Sequence, residues 1–148
     1  MLADLPLLSQ LWYEKAVLVQ QQERHLKFDD QARMQWEHLA ADWLDDEDTA
    51  LLIVEAEGLV CGYLVACIRP GLPGMQPHRL GFITEIALDA HRYHGGAARE
   101  LVECAFRWFD SREIHQVAAF VMRSSVIDQA FWRAYGGGKW MEWLWIRS

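Results

Sequence analysis

The sequence predicts an α+β fold in which helices flank a mixed sheet, with the element order ααβββαβαβ. Two observations support this prediction. Apolar residues recur at helical spacing through the first 45 residues and again in two later stretches, whereas residues 49–88 hold apolar runs separated by turn signals. The length of 148 residues predicts one domain over residues 1–148, because such a chain buries enough surface to fold without metal or disulfide staples.

Two helices are predicted at the start of the chain. The first spans about residues 6–22, where Pro6 suits the first turn of a helix. The second follows a capping aspartate, Asp29 or Asp30, and ends in the acidic residues 45–48. Its apolar positions fall on one stripe, which consists of Ala32, Trp36, Leu39, Ala40 and Trp43.

The rest of the chain alternates strand and helix signals. Residues 49–56 and 59–68 predict a hairpin around Glu57-Gly58, and residues 80–88 predict a third strand that Thr84-Glu85 interrupts with polar side chains. An amphipathic helix follows the glycine pair Gly95-Gly96. A fourth strand over 116–122, a helix over 127–135 closed by three glycines, and an alternating last strand over 140–146 complete the order.

Charge, cysteine usage and hydropathy exclude several classes of function. The 14 Lys and Arg residues against 21 Asp and Glu residues give a formal net charge of -7, which argues against nucleic-acid binding because that needs a basic face. No leader signal and no apolar run approaching 18 residues is present, so we expect a cytoplasmic protein without a membrane partner. Three cysteines without C-x-x-C spacing predict reduced thiols, and the histidines and cysteines show no metal-ligand spacing, so no metal is expected.

The stretch most informative about function is residues 82–109, in which a strand enters a short polar turn, Gly95-Gly96 and then a helix. Glycines at such a turn let backbone N–H groups converge on an anion, and the helix N-terminus adds a partial positive charge. The patterns G-x-x-x-x-G-K-S/T and G-x-G-x-x-G are both absent, which excludes a P-loop and a Rossmann fingerprint. A diphosphate cradle and a plain helix cap both remain open on these grounds.

The turn resembles motif A of the GNAT N-acetyltransferase superfamily, which reads Arg/Gln-x-x-Gly-x-Gly/Ala. Arg92 to Ala97 fits this pattern literally. The register from Tyr93 to Ala98 places tyrosine at the first position, but it aligns Leu88-Asp89 with the end of the family's strand and keeps the helix stripe without a gap. We prefer this second register, and the backbone cradle exists in both.

The resemblance extends over about residues 5–146. The hairpin over 51–68 resembles the second and third strands of the family, and residues 116–137 resemble its fifth strand and following helix. In that last stretch Ser125, Trp132 and Gly137 stand where Asn, Tyr and Phe are usual. The resemblance implies a mostly antiparallel sheet. It also implies that the family's usual first strand is missing or vestigial here, because the helix pattern begins within six residues of Met1.

Acetyl-CoA is the co-substrate that the resemblance implies. The pantetheine arm would pair with backbone of the third predicted strand, the diphosphate would contact N–H groups of the glycine turn, and the N–H of Leu88 would polarise the thioester carbonyl. The cofactor-binding residues implied in this way are Ile86, Ala87, Leu88, Tyr93, His94, Gly95, Gly96, Ala97, Ala98, Arg99, Ser125 and Trp132.

Glu85 is the candidate general base, since a partly buried carboxylate has a raised pKa and related enzymes often carry a glutamate here. The alternative is a glutamate on the solvent side of a bulged strand. Tyr135 is the candidate acid in place of the tyrosine that Trp132 replaces, with simple packing as the alternative favoured. Trp12, Tyr13 and Trp36 are, with Glu85, the candidate acceptor-binding residues, although core packing explains Trp36 better.

The implied function is acetyl transfer to a primary amine of a small molecule or peptide by direct attack. A non-catalytic acyl-CoA-binding or regulatory module on the same fold is the alternative, because the usual tyrosine is lost. The acidic residues 45–48 can recruit a cationic amine, although a solvated loop is the better interpretation. Little chain follows Gly138, so the last strands of the family's sheet have few residues and an edge of the sheet is left open. This open edge predicts a homodimer in which a second subunit covers it.

Overall fold

The computed structural model describes residues 1–92 and 95–146. A single 3₁₀ turn (Leu2–Asp4) leads into α1, and no strand precedes α1 in this part of the chain. The elements follow the predicted order up to the last helix. They are α1 (Leu5–Gln22), α2 (Ala32–Asp45), β1 (Thr49–Ala56), β2 (Leu59–Pro70), β3 (Arg79–Leu88), α3 (Ala97–Asp110), β4 (Val117–Ala119) and α4 (Val126–Ala134).

The four strands form one sheet in the order β1-β2-β3-β4. β1, β2 and β3 pair antiparallel, and β4 pairs parallel to β3, so the sheet is mostly antiparallel as expected. The β3–β4 ladder is short. It begins where Gly81 donates to the Gln116 carbonyl at 3.0 Å and ends where Phe120 donates to the Ile83 carbonyl at 2.9 Å. Residues of β3 after Ile83 therefore have no ladder partner on the β4 side among the described residues.

Helices cover both faces of the sheet. α3 buries the stripe that its sequence predicts against one face, together with Cys61, Leu64 and Ile83. α1 and α2 cover the opposite face, where Leu8, Trp36, Tyr63 and Val65 belong to a second apolar cluster. The buried stripe of α3 consists of Ala97, Leu101, Val102, Ala105 and Phe109. The three cysteines are free, as their spacing predicts.

One glycine lets α3 sit close to the sheet. A Cβ atom placed on Gly81 would lie 2.6 Å from the ring of Phe109, which is itself only 1% exposed. The absence of a side chain at Gly81 is what allows the Phe109 ring to lie against the β3 backbone.

The last predicted strand is not formed. Residues 140–146 carry neither helix nor strand, and their apolar side chains are exposed, including Trp143 at 89%. The alternation of apolar residues there predicts a strand, but β4 has only three ladder residues and so offers little edge for another strand to extend. Ring contacts position the tail instead, since Trp145 stacks on His25 at 4.8 Å and Trp143 lies 6.5 Å from Phe120.

Candidate active site

A β-bulge in β3 directs the side chains of the candidate site. Glu85 pairs with Val65 and Ile83 pairs with Ala66, so Thr84 is an extra residue that has no partner in β2. The bulge interrupts the alternation of the strand, with the result that Thr84 and Glu85 both line one groove. The polar pair Thr84-Glu85, which interrupts the apolar pattern of the strand, is thus located at the bulge. Beyond the bulge, the alternation of side chains between the two faces of β3 is shifted by one residue.

Glu85 points into the α1–α2 side of the sheet and is held by two donors. Its Oε2 atom accepts hydrogen bonds from Trp36 Nε1 at 3.0 Å and from the Tyr63 hydroxyl at 2.8 Å. Its other oxygen has no protein partner among the described residues, which leaves it open to the groove. Burial raises the pKa of Glu85, although both hydrogen bonds and the charge of Lys15 lower it. The bulge is real, but the side chain is partly buried rather than on the solvent side.

The two donors keep their protons for physical reasons. Burial and the neighbouring carboxylate of Glu85 raise the pKa of Tyr63 far above the physiological range, so its hydroxyl stays a donor. Trp36 is only 4% exposed, and its indole N–H acts only as a donor. The structure therefore places Trp36 behind Glu85 as a core residue that positions the carboxylate, in agreement with core packing as the better explanation of its spacing.

An aromatic cluster surrounds this hydrogen-bonded glutamate. The Trp36 ring stacks on Trp12 at 6.3 Å and meets Trp43 and Tyr63 edge-on at 5.7 and 5.4 Å. Trp12 also contacts Phe28 at 5.5 Å. Trp12 is partly exposed, as is its neighbour Tyr13, so both keep some surface for a ligand while Trp36 does not.

A groove of about 550 Å³ opens beside Glu85. Sequence reasoning missed most of its walls, because they come from four separate elements that only strand pairing and helix packing bring together. The alternation of Phe82 with Thr84 along β3 was the one available signal. The groove is lined by Trp43, Thr49, Val65, Cys67, Arg69, Pro70, Phe82, Thr84, Glu85 and Phe120.

Two residues just after Glu85, Ile86 and Leu88, lie on the part of β3 that has no ladder partner on the β4 side among the described residues. Asp89 donates its N–H to the Cys61 carbonyl in β2 at 2.7 Å, so by the alternation of the ladder the backbone groups of Ile86 and Leu88 point away from β2. Lys15 Nζ donates to the Ile86 carbonyl at 2.6 Å and lies 3.3 Å from an Asp128 oxygen. Ala87 instead directs its backbone toward β2 and buries its side chain among the α1–α2 core residues.

The glycine turn leads into the N-terminus of α3. Gly96 is the N-cap, and the first helical hydrogen bond runs from the Glu100 N–H to the Gly96 carbonyl at 2.9 Å. The N–H groups of Ala97, Ala98 and Arg99 have no acceptor within the helix. Gly95 is exposed, and a Cβ atom there would meet nothing within 4 Å.

The remaining predicted cofactor residues are distributed around this end of the sheet. Tyr93 and His94 lie outside the described residues. Arg99 is exposed and forms an ion pair with Glu103 at 3.0 Å. Ser125 caps α4, where its hydroxyl accepts from the Asp128 N–H at 3.3 Å.

Tyr135 is not brought together with Glu85. Its ring contacts Phe106 of α3 at 6.0 Å and Phe131 at 5.3 Å, and Trp132 packs against the same α3-side core. Burial raises the pKa of Tyr135, so its hydroxyl is protonated, but it packs on the face of the sheet opposite to the Glu85 carboxylate. This placement agrees with packing, the alternative favoured for Tyr135.

The acidic residues at the end of α2 are bound by arginines. Asp46 accepts from the Thr49 hydroxyl at 2.6 Å and from Arg69 at 3.3 Å, and these contacts lower the pKa of Asp46. Asp48 pairs with Arg79 at 2.7 Å. These two carboxylates tie the start of β1 to neighbouring strands rather than standing free for a cationic ligand.

Two general findings limit the chemistry of the described residues. Over residues 1–92 and 95–146, no group of three or more His, Cys, Asp or Glu side chains could hold a metal ion. No helix in the same part of the chain is long and apolar enough to cross a membrane.

Comparison with known protein families identifies the family to which this chain belongs. Residues 12–136 match the acetyltransferase (GNAT) family, which is most of the chain, so the protein belongs to that family. No curated protein matches the sequence.

Solved structures with this fold are distant in sequence. A tetramutant of the BH1408 protein from Bacillus halodurans has a TM-score of 0.83 at 14% identity, covering 100% of this chain and 96% of that one. A predicted acetyltransferase from Clostridium acetobutylicum with acetyl-CoA has a TM-score of 0.75 at 15% identity, covering 99% and 92%. An aminoglycoside antibiotic 6'-N-acetyltransferase from Acinetobacter haemolyticus has a TM-score of 0.68 at 18% identity, covering 84% and 86%.

Proposed function

We propose that this protein is an acetyl-CoA-dependent N-acetyltransferase that acylates a primary amine of a small molecule or peptide by direct attack. The observation that supports it best is the juxtaposition on β3. A carboxylate with one open oxygen, Glu85, directly precedes Ile86 and Leu88, whose backbone groups point away from β2, and the glycine turn into α3 follows. The Ile86 carbonyl accepts from Lys15 in this structure, so pantetheine would replace that contact. Family membership and structural neighbours that contain acetyl-CoA or CoA support the same function.

In this proposal acetyl-CoA supplies the acyl thioester, and the protein supplies alignment and proton transfer. Glu85, whose pKa burial raises, accepts the proton that the amine loses as its nitrogen forms the C–N bond. The Leu88 N–H stabilises the charge that develops on the carbonyl oxygen when the C–S bond breaks. The CoA thiolate leaves and takes a proton from water, so no side chain is needed as a general acid in place of the family's tyrosine.

The proposed cofactor residues divide by the group they would contact. The backbone of Ile86 and Leu88, beside Ala87, would pair with pantetheine, while the turn from Tyr93 to Ala98 and the α3 N-terminus would hold the diphosphate. Arg99 would add charge at that end. Ser125 and Trp132, at the start and in the middle of α4, would border the pantetheine channel.

A non-catalytic acyl-CoA-binding module remains the second candidate. Trp132 stands at the family's tyrosine position, and Tyr135, the nearest replacement, packs on Phe106 rather than toward Glu85. Both observations favour this candidate over an enzyme that depends on a tyrosine acid.

Acetyl-CoA binding is tested by titration calorimetry on the wild type and on Gly96→Glu. The φ of Gly96 is -100°, so a glutamate fits the backbone, but its charge would repel the diphosphate. We expect at least a tenfold weaker Kd, as one repelling charge costs about 1–2 kcal/mol at close range. Gly138→Glu is the control, because Gly138 is exposed and a Cβ atom there meets nothing within 4 Å.

Release of CoA thiol with a panel of amines then separates the two candidates. Acetyl-CoA binding that Gly96→Glu weakens, together with thiol release that Glu85→Gln abolishes, supports the enzyme. Binding without amine-dependent thiol release supports the module. Equal affinity of the wild type and Gly96→Glu for acetyl-CoA would refute the assignment of the glycine turn as the diphosphate-binding site.

A further inference from the structure

We propose that the acceptor is a monoamine, with one ammonium group on an aromatic or long alkyl body, rather than a polycation. This inference rests on the proposed function and names the substrate class of the same site. The described lining of the groove beside Glu85 supports it in three ways: the apolar character of the walls, the number of free carboxylates, and the pairing of the cationic side chain Arg69.

The walls of the groove are mostly apolar. Six of the ten described lining residues carry no charge or hydroxyl, namely Trp43, Val65, Cys67, Pro70, Phe82 and Phe120. Phe82 and Phe120 form a tilted ring pair at 5.9 Å, and Phe120 stays 59% exposed. Such walls stabilise an apolar body, because transferring it from water to this surface is favourable and aromatic rings prefer edge or tilted contacts.

The described lining of the groove offers one carboxylate. That carboxylate is Glu85, whose Oε2 is already bonded to Trp36 and Tyr63, so one oxygen is available to an ammonium group. A polyamine or aminoglycoside brings several ammonium groups, and each one that enters an apolar groove without a partner loses its hydration.

The charged groups at the Arg69 end of the groove, which we call its mouth, are paired with each other. The Arg69 guanidinium donates to the Ile68 carbonyl at 2.9 Å, to the Thr49 hydroxyl at 3.2 Å and to Asp46 at 3.3 Å. Asp48, the other partly buried acid of this run, pairs with Arg79. The mouth therefore presents a guanidinium that repels additional ammonium groups, and its nearest carboxylate is already neutralised.

Phe120 is the residue whose contribution to specificity is simplest to test. It directly follows β4, its backbone N–H is held by the Ile83 carbonyl, and its ring is half free over the groove. Loss of one aromatic wall weakens contact with an aromatic body by about three- to tenfold. Contact with the ammonium group at Glu85 would be unchanged.

The experiment measures binding and turnover separately. Calorimetry in the presence of CoA gives the affinity for 2-phenylethylamine, hexylamine, spermine and the aminoglycoside neamine, and thiol release from acetyl-CoA gives kcat/KM for the same amines. Both are repeated with Phe120→Ala and with the control Trp140→Ala, which removes a similarly exposed ring (54%) outside the groove lining.

We expect the two monoamines to bind and react at least tenfold better than spermine and neamine. Phe120→Ala should lower kcat/KM for 2-phenylethylamine three- to tenfold, and Trp140→Ala should leave it unchanged. Preferred turnover of spermine or neamine would overturn this inference and keep the proposed function. Monoamine binding that Phe120→Ala weakens, without any turnover, would support the groove's selectivity and overturn the proposed activity. No monoamine binding would overturn the inference.

Discussion

Replacement of Glu85 separates its structural role from its chemical role. Glu85→Gln removes the charge but keeps an oxygen that can accept from Trp36 and Tyr63, and its amide group can take the place of the open oxygen at the groove. Glu85→Ala removes the oxygen that accepts from both Trp36 and Tyr63 and leaves two donors unpaired in residues that are 4% and 1% exposed. The two variants therefore differ in hydrogen bonding and share the loss of the base.

The expected effects on stability have opposite signs. An unpaired buried donor costs roughly 1–3 kcal/mol, so two of them make Glu85→Ala about 2–6 kcal/mol less stable than the wild type. The folded-state pKa of Glu85 is raised above its ordinary value of 4.5. The stability that this carboxyl contributes is therefore full below that value and is lost as pH rises through the raised pKa. Glutamine cannot ionise, so Glu85→Gln should gain stability relative to the wild type as pH rises.

Urea unfolding followed by tryptophan fluorescence at several pH values measures both effects. The difference between Glu85→Gln and the wild type should be constant at low pH and should grow in favour of the variant toward pH 8. In thiol release, the wild-type kcat/KM should rise with pH as Glu85 ionises, and Glu85→Gln should lose this limb with most of the activity. A glutamine variant about 1 kcal/mol or more less stable at every pH would refute the assignment of a desolvated carboxylate.

Three further predictions concern the surroundings of the site. Lys15→Met removes a charge that lowers the pKa of Glu85, so the rise of kcat/KM should move to higher pH in a pH–rate profile. Gly81→Ala places a Cβ atom against the Phe109 ring, so it should lower the free energy of unfolding in urea by about 1–3 kcal/mol. A subunit covering the open β4 edge should give a species of twice the 17.2 kDa chain mass in sedimentation velocity.

The two substitutions have matched controls, and each of the three predictions has an opposing result. Lys27→Met, an exposed lysine in the loop after α1, should leave the pH profile in place. A shift to lower pH with Lys15→Met would contradict the electrostatic role of that lysine. Gly138→Ala should be neutral, because a Cβ atom there has open space, and a neutral Gly81→Ala would show that Phe109 can move away. A monomer at tens of micromolar would remove the homodimer.

Local sequence patterns were enough to place the helices and the central strands. The stripe of α3 is buried where its spacing predicts, and the glycine pair lies at the helix start, because helical periodicity and capping are encoded within a few residues. The polar pair Thr84-Glu85 coincides with a bulge in β3, but the alternative that combined a bulge with a solvent-facing Glu85 is wrong about the side chain. The tail shows the limit of such patterns. Residues 140–146 alternate between apolar and polar side chains like a strand but form none, because β4 is too short to offer a long edge for pairing.

The sequence by itself determined the fold class, the strand–glycine–helix segment and the identity of the candidate base. Only the tertiary structure decided what surrounds that base. Trp36 and Tyr63 lie 49 and 22 residues from Glu85 in the chain, and Arg69 in β2 neutralises Asp46 at the end of α2. These partners depend on strand register and on how α2 packs on the sheet, which follow from the burial of the whole core rather than from any local pattern.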